Sequence, residues 1–233
     1  MKESDYLVLS ASAAQQFCCD QLEQLAVPAG EVSDCAEVML EASLRGVDSH
    51  GIALVATFAE RIRSGQMRPG RSLFVRREGP TSAWVDGQQG LGPTLARQCV
   101  NLAIGKAKRS GMAAVSLVDG NYLGALAPYL MPVAQANLFA LAVANSTPRV
   151  APYGGRSGLH GTNPIAWIAP VEGGEPLLFD AATGNAAARI AQAVDEGRPL
   201  APGIALDEDG RETTDPAAAA AGTLLPVGAA LGY

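Results

Sequence analysis

The 233-residue chain is 48% apolar, enough for one large core or two small ones, and carries a formal net charge of −6 with a pI near 4.9. That acidity, without any cluster of lysines and arginines, excludes an extended surface for nucleic acid or anionic membrane. No apolar run reaches membrane-spanning length, the acidic start Met1–Asp5 lacks the apolar segment of a signal peptide, and two histidines exclude a His-rich metal site.

In chain order, residues 11–26 are expected as a first helix, with Ser10 or Ser12 as N-cap and Pro28 ending it. A second helix spans about Glu31 to Arg45, with Val32, Cys35, Ala36, Met39 and Leu40 on one face. Gly46 stops it, and Val47-Asp48-Ser49-His50-Gly51 forms a short polar turn before a third helix over Ile52–Arg63. The Pro- and Gly-bearing stretch Arg68–Pro80 is expected as a linker. Beyond it the texture is mixed. Strands are expected at Ser82–Val85, Ala113–Val118, Leu138–Ala144, Ile165–Ala169 and Leu177–Phe179, and helices at about 93–110, 124–136 and up to Glu196. The chain from Arg198 is turn-rich, with Asp207-Glu208-Asp209-Gly210 as a turn and Thr213-Thr214-Asp215-Pro216 capping a short Ala helix. Cys18, Cys19, Cys35 and Cys99 show no CxxC or metal-ligand spacing and are expected as reduced, buried thiols of a cytoplasmic protein.

Two glycine-rich loops invite a ligand. Gly87-Gln88-Gln89-Gly90-Leu91-Gly92 does not match the GxGxxG spacing, and no βαβ unit with an acidic residue ~20 positions on supports it, which argues against a Rossmann site. The second, Val150-Ala151-Pro152-Tyr153-Gly154-Gly155 followed by Leu159-His160-Gly161-Thr162-Asn163-Pro164-Ile165-Ala166, lets main-chain amides approach a ligand closely and feeds a buried strand.

Several stretches, in order, resemble the type 2 malate/L-lactate dehydrogenase family, which is similar to ureidoglycolate and sulfolactate dehydrogenases and to cyclic-imine carboxylate reductases. They are Arg45-Gly46-Val47-Asp48-Ser49-His50-Gly51, Val150–Gly155, Gly161-Thr162-Asn163-Pro164-Ile165-Ala166, Phe179-Asp180-Ala181-Ala182-Thr183, Leu206–Gly210, and Thr213–Pro216 with Leu224-Leu225-Pro226. The resemblance implies an α/β (α+β) fold with a non-Rossmann NAD(P)-binding domain, a largely antiparallel sheet and a helical N-terminal region. It divides the chain into residues 1–75 and 76–233, and implies a homodimer and NAD or NADP as cofactor. By analogy Ser49, His50, Ser146, Thr162, Asn163, Asp180, Ala181 and Ala182 line the cofactor. Asp180, following an apolar strand, is expected to be buried and paired. His160 is expected to be an ordinary loop residue.

The departures from the family concentrate on the substrate. Where the family has a general acid/base His, Asn121-Tyr122-Leu123-Gly124 supplies Tyr122. Leu54 stands where the family carries an Arg suited to a carboxylate, and Leu231-Gly232-Tyr233 replaces a Lys-Gly-Tyr. The family also continues well beyond the position of Tyr233. A positioned acid/base contributes ~10²–10⁴ in rate, and a charge-assisted hydrogen bond ~1.5–3 kcal/mol, so an active chain needs replacements. Tyr122, with its pKa lowered by a nearby cation, and His50 are the candidate catalytic residues. Arg45 is the candidate for the substrate acid group, with Arg149 and Arg156 as others. The expected function is hydride transfer between a nicotinamide and a small 2-oxo acid, 2-hydroxy acid or cyclic imino acid. The alternative is a catalytically silent, truncated member that binds nucleotide or supports an active partner.

Overall fold

The computed structural model describes residues 8–185 and 187–231. Internal contacts divide the chain into two compact units, Val8–Ala140 with Trp167–Leu178, and Leu141–Ala166 with the chain from Phe179 on.

In the first unit, α1 (Ala11–Glu23) starts at Ser10, whose Oγ accepts the Ala13 amide at 3.2 Å. The chain reverses at Ala26, which takes φ +56°, before α2 (Ala29–Leu44). The end of α2 is a Schellman turn: Gly46 is left-handed, its amide donates to Ser43 O, and the Val47 amide donates to Ala42 O. One stripe of α2 (Val32, Cys35, Ala36, Met39) packs with Cys18 and Leu22 of α1 and with Leu54, Val55 and Phe58 of α3 (Leu54–Arg63). Each such large side chain, fully buried, contributes roughly 1.5–3 kcal/mol. The four cysteines are free thiols, and burial, helped by Cys19, pushes Cys18 up to about 11.

The stretch expected as a linker contains β1 (Phe74–Glu78), which pairs antiparallel with β2 (Ser82–Asp86). All five of its residues are exposed, so it shows no apolar alternation to betray a strand. β2 runs parallel to β3 (Ala114–Val118), and α4 (Gly92–Ser110) is the crossover between them. β2, α4 and β3 thus form a βαβ unit from the strand, helix and strand that the sequence predicts there. The glycine-rich loop that enters α4 nevertheless spends its amides internally. Gly87 N donates to Val118 O, Gln88 N to Asp86 Oδ1, Gln89 N to Asp119 O and Gly90 N to Gly87 O. α4 closes at left-handed Gly111, and its buried Lys106 donates to Gly79 O and pairs with Glu78, each at 2.7 Å. α5 (Ala127–Gln135) follows β3.

β4 (Ala140–Val143), β5 (Ile165–Ala169) and β6 (Leu177–Ala181) form a second sheet in that order. The core of the second unit gathers Val150, Ile190 and Ala193 of α6 (Ala187–Glu196), Leu200, Ile204, Ala219 and Leu224. Around it β7 (Ala205–Leu206) pairs antiparallel with both β8 (Glu212–Thr213) and β9 (Thr223–Leu224). Asp215 caps α7 (Pro216–Ala221) by accepting the Ala217 amide, as the sequence predicts.

The contact that joins this architecture to the loop after β3 is at Gly92. A β-carbon there would fall inside the Tyr122 carbonyl oxygen and 2.7 Å from that of Asn121. Gly92→Ala is expected to lower unfolding free energy by about 1–3 kcal/mol through overpacking. Gly30, helical and with open space around it, should become more stable by about 0.5–1 kcal/mol on substitution by Ala. Denaturant unfolding of both variants checks the pair.

Candidate active site

In the first unit the Asp48–His50 turn follows α2 directly. It is pinned from α2 by Ser43, whose Oγ accepts the Ile52 amide at 3.1 Å and fills the space a side chain on Gly51 would need. His50 is half-buried, and its Nδ1 lies 2.9 Å from Ser49 Oγ. That contact orients the imidazole.

Tyr122 is delivered to the same place by a loop held at three points. Asn121 Nδ2 donates to Gln66 O at 2.8 Å and to Gln89 O at 3.0 Å. Gly92 lies against the Tyr122 carbonyl, and the hydroxyl of fully buried Tyr129 donates to Leu123 O. Left-handed Gln88, Gln89 and Asp119 surround this anchorage, a concentration of backbone strain of the kind that accompanies sites.

The Tyr122 ring is stacked with His50 at 6.1 Å between centroids and meets the edge of Phe58 at 6.5 Å. The Arg61 guanidinium carbon sits 5.5 Å from its centroid. Burial raises the Tyr122 phenol above its ordinary value, and Arg61 offsets only part of this. The cation that sequence reasoning required is present, yet desolvation outweighs it. The phenol therefore stays protonated at neutral pH and serves as a donor. Arg45, by contrast, is engaged by Glu41 one helical turn earlier, with Nε at 2.9 Å and Nη2 at 2.6 Å from Oε1.

In the second unit Ser146, Thr162 and Asn163 form one knot. Ser146 Oγ lies 3.0 Å from Thr162 Oγ1 and accepts the Thr162 amide at 2.8 Å, and Ser146 N donates to Asn163 Oδ1 at 3.1 Å. Gly161 is obligatory within it, since a β-carbon would lie 2.5 Å from both Asn163 Oδ1 and Ser146 Oγ. Thr183 Oγ1 closes the knot on Asn163 O at 2.9 Å. His160 bridges Val150 through its backbone. Asp180, expected to be buried, is exposed near the end of β6. Ala181 is half-buried and Ala182 exposed. Leu231 is fully open, and Gly232 and Tyr233 lie outside the described residues.

Three contributors escaped sequence reasoning: Ser43, Asn121 and Arg61. Only Arg61 left a signal. Leu54, Phe58 and Arg61 follow i, i+4, i+7 spacing and share one face of α3.

The family model for malate/L-lactate dehydrogenase matches residues 9–233. The chain belongs to that family. It is 32% identical over 228 residues to the L-sulfolactate dehydrogenase of Methanocaldococcus jannaschii, covering 97% of this chain and 66% of that one. To the (2R)-3-sulfolactate dehydrogenase (NADP(+)) of Chromohalobacter salexigens it is 34% identical over 227 residues, covering 97% and 68%. Among solved structures, the delta1-piperideine-2-carboxylate reductase of Pseudomonas syringae superposes with a TM-score of 0.91 at 31% identity, covering 97% of this chain and 69% of that one. The chain thus spans about two thirds of the length of the relatives it matches.

The electrostatics of Tyr122 are open to titration. Tyrosinate absorbance that disappears in Tyr122→Phe is expected to develop only above pH ~10. In Arg61→Met, where the offsetting cation is gone, it should develop at still higher pH.

Proposed function

We propose that this chain is the nicotinamide- and acid-binding part of an NAD(P)-dependent oxidoreductase acting on a small 2-oxo acid, 2-hydroxy acid or cyclic imino acid. The observation that supports this reading is the cluster of His50, Tyr122 and Arg61, which brings an imidazole, a protonated phenol and a cation together in the first unit. The family's members named above are dehydrogenases and a reductase, which lends no support to a silent member.

The Ser146–Thr162–Asn163 knot suits the uncharged part of a nicotinamide cofactor. Its donors are hydroxyls and an amide, and no cation belongs to it. Asn163 spends Oδ1 on Ser146, which leaves its Nδ2 hydrogens to donate to a ligand. Gly161 keeps the approach open. When bound, the nicotinamide supplies or accepts the hydride.

The chain's own residues supply the rest. In the reducing direction a proton must reach the substrate oxygen or nitrogen as the hydride reaches carbon. This role is assigned to His50, whose Nδ1 lies 2.9 Å from Ser49 Oγ and whose ring stacks on Tyr122. Tyr122 donates a hydrogen bond to the same developing charge, a role that its raised pKa favours. The proposal includes a cytoplasmic homodimer, for which exposed Leu141, Val143 and Phe179 supply apolar surface.

Titration with NADH and NADPH, followed by quenching of Trp84 and Trp167, tests the reading. Saturable micromolar binding is expected, followed by turnover in a screen of 2-oxo acids and cyclic imino acids. Tyr122→Phe should lower kcat about tenfold or more while leaving cofactor affinity in place. A folded chain that binds neither cofactor would sink the proposal.

A further inference from the structure

The family's Arg at position 54 has been lost to the core: Leu54 is buried among Val55, Phe58 and the α1–α2 packing. Two turns further along the same face of α3 stands Arg61. Side chains on a helix tilt toward its N-terminus, so Arg61 reaches back along this face toward Phe58, and its guanidinium comes to rest over Tyr122.

Arg61 differs from other cations of the chain in how its charge is met. Among the described residues, the lysines and arginines that are not exposed are Arg61, Arg97 and Lys106. Arg97 pairs with Asp34 at 2.9 Å and Glu37 at 2.8 Å, and Lys106 pairs with Glu78. Arg61 has no carboxylate among the described residues; its charge is met by a ring face alone. Half-buried cations are ordinarily paired, and a π face leaves the planar fork of N–H donors unused.

Resting on the function proposed above, we propose that Arg61 is the residue that binds the substrate's acid group, a carboxylate or sulfonate held by the guanidinium beside Tyr122 and His50. The fork matches the two oxygens of such a group. The neighbours are compatible with an anion. The Tyr122 hydroxyl is a protonated donor, and the His50 imidazole lies on the same ring. Arg45 is spent on Glu41 and is not needed for this role. Position 54 thus carries no cation, and Arg61 supplies one two turns along the same helix face.

Calorimetric titration with oxalate, with and without saturating NADH, tests this on wild type, Arg61→Met, Arg61→Lys and Arg45→Met. Wild type is expected to bind oxalate. Arg61→Met should weaken binding by about ten- to a hundredfold, the worth of a charge-assisted pair. Arg61→Lys should recover part of the loss, Arg45→Met should match wild type, and NADH affinity should be the same in all four. Equal oxalate affinity in wild type and Arg61→Met, loss in Arg45→Met instead, or no oxalate binding by wild type would overturn the assignment. If Arg61→Met does not fold, Arg61→Lys against wild type decides by the same criterion. Arg61-dependent oxalate binding without any NADH binding would uphold the acid site and sink the oxidoreductase reading, so the two fail separately.

Discussion

The carbonyl oxygen of Tyr122 occupies the space in which a side chain on residue 92 would begin. Only glycine permits that approach, and much of the first unit is arranged around it. α4 can enter against the loop after β3 because Gly92 lacks a β-carbon, and the same approach lets Asn121 reach Gln66 O and Gln89 O together. Tyr122 is then fixed on both sides, by Asn121 before it and by Tyr129 holding Leu123 O after it. Its ring has little choice but to face Phe58, Arg61 and His50.

The second unit uses the same device. Gly161 lets Ser146, Thr162 and Asn163 close on one another with hydrogen bonds of 2.8–3.1 Å, and Asn163 accepts a positive φ of 27° to do so. Such a conformation costs on the order of 1–3 kcal/mol for a non-glycine residue, and the knot of hydrogen bonds offsets it. In both units, then, preorganisation comes from backbone proximity, with neutral side chains satisfied by one another. In the first unit, the cation that meets the Tyr122 ring is Arg61 on α3.

How much of this could be read from the chain alone follows from where the signal lay. The helices came through because apolar spacing, Ser10, Gly46, Gly111 and Asp215 mark them at both stripe and cap. β1 did not, since its five exposed residues carry no periodicity. Asp180 was misjudged because an apolar run before it suggests burial, whereas β6 leaves that face open. The motif residues Ser49, His50, Ser146, Thr162 and Asn163 were legible by resemblance, and the two knots they form are local in the fold. Arg61 was visible only as a basic residue in the last turn of a helix, where it also suits the dipole. Its relation to Tyr122 spans 61 positions and required the fold.

The proposed function requires direct hydride transfer between a nicotinamide and an organic acid. The most direct measurement is transfer of isotope from reduced cofactor deuterated at its donating carbon, with mass analysis of the product acid. The account predicts one deuteron on the carbon that bears the new hydroxyl or amine. A chain that binds both cofactor and acid yet forms no product, or forms it without the label, would contradict the account.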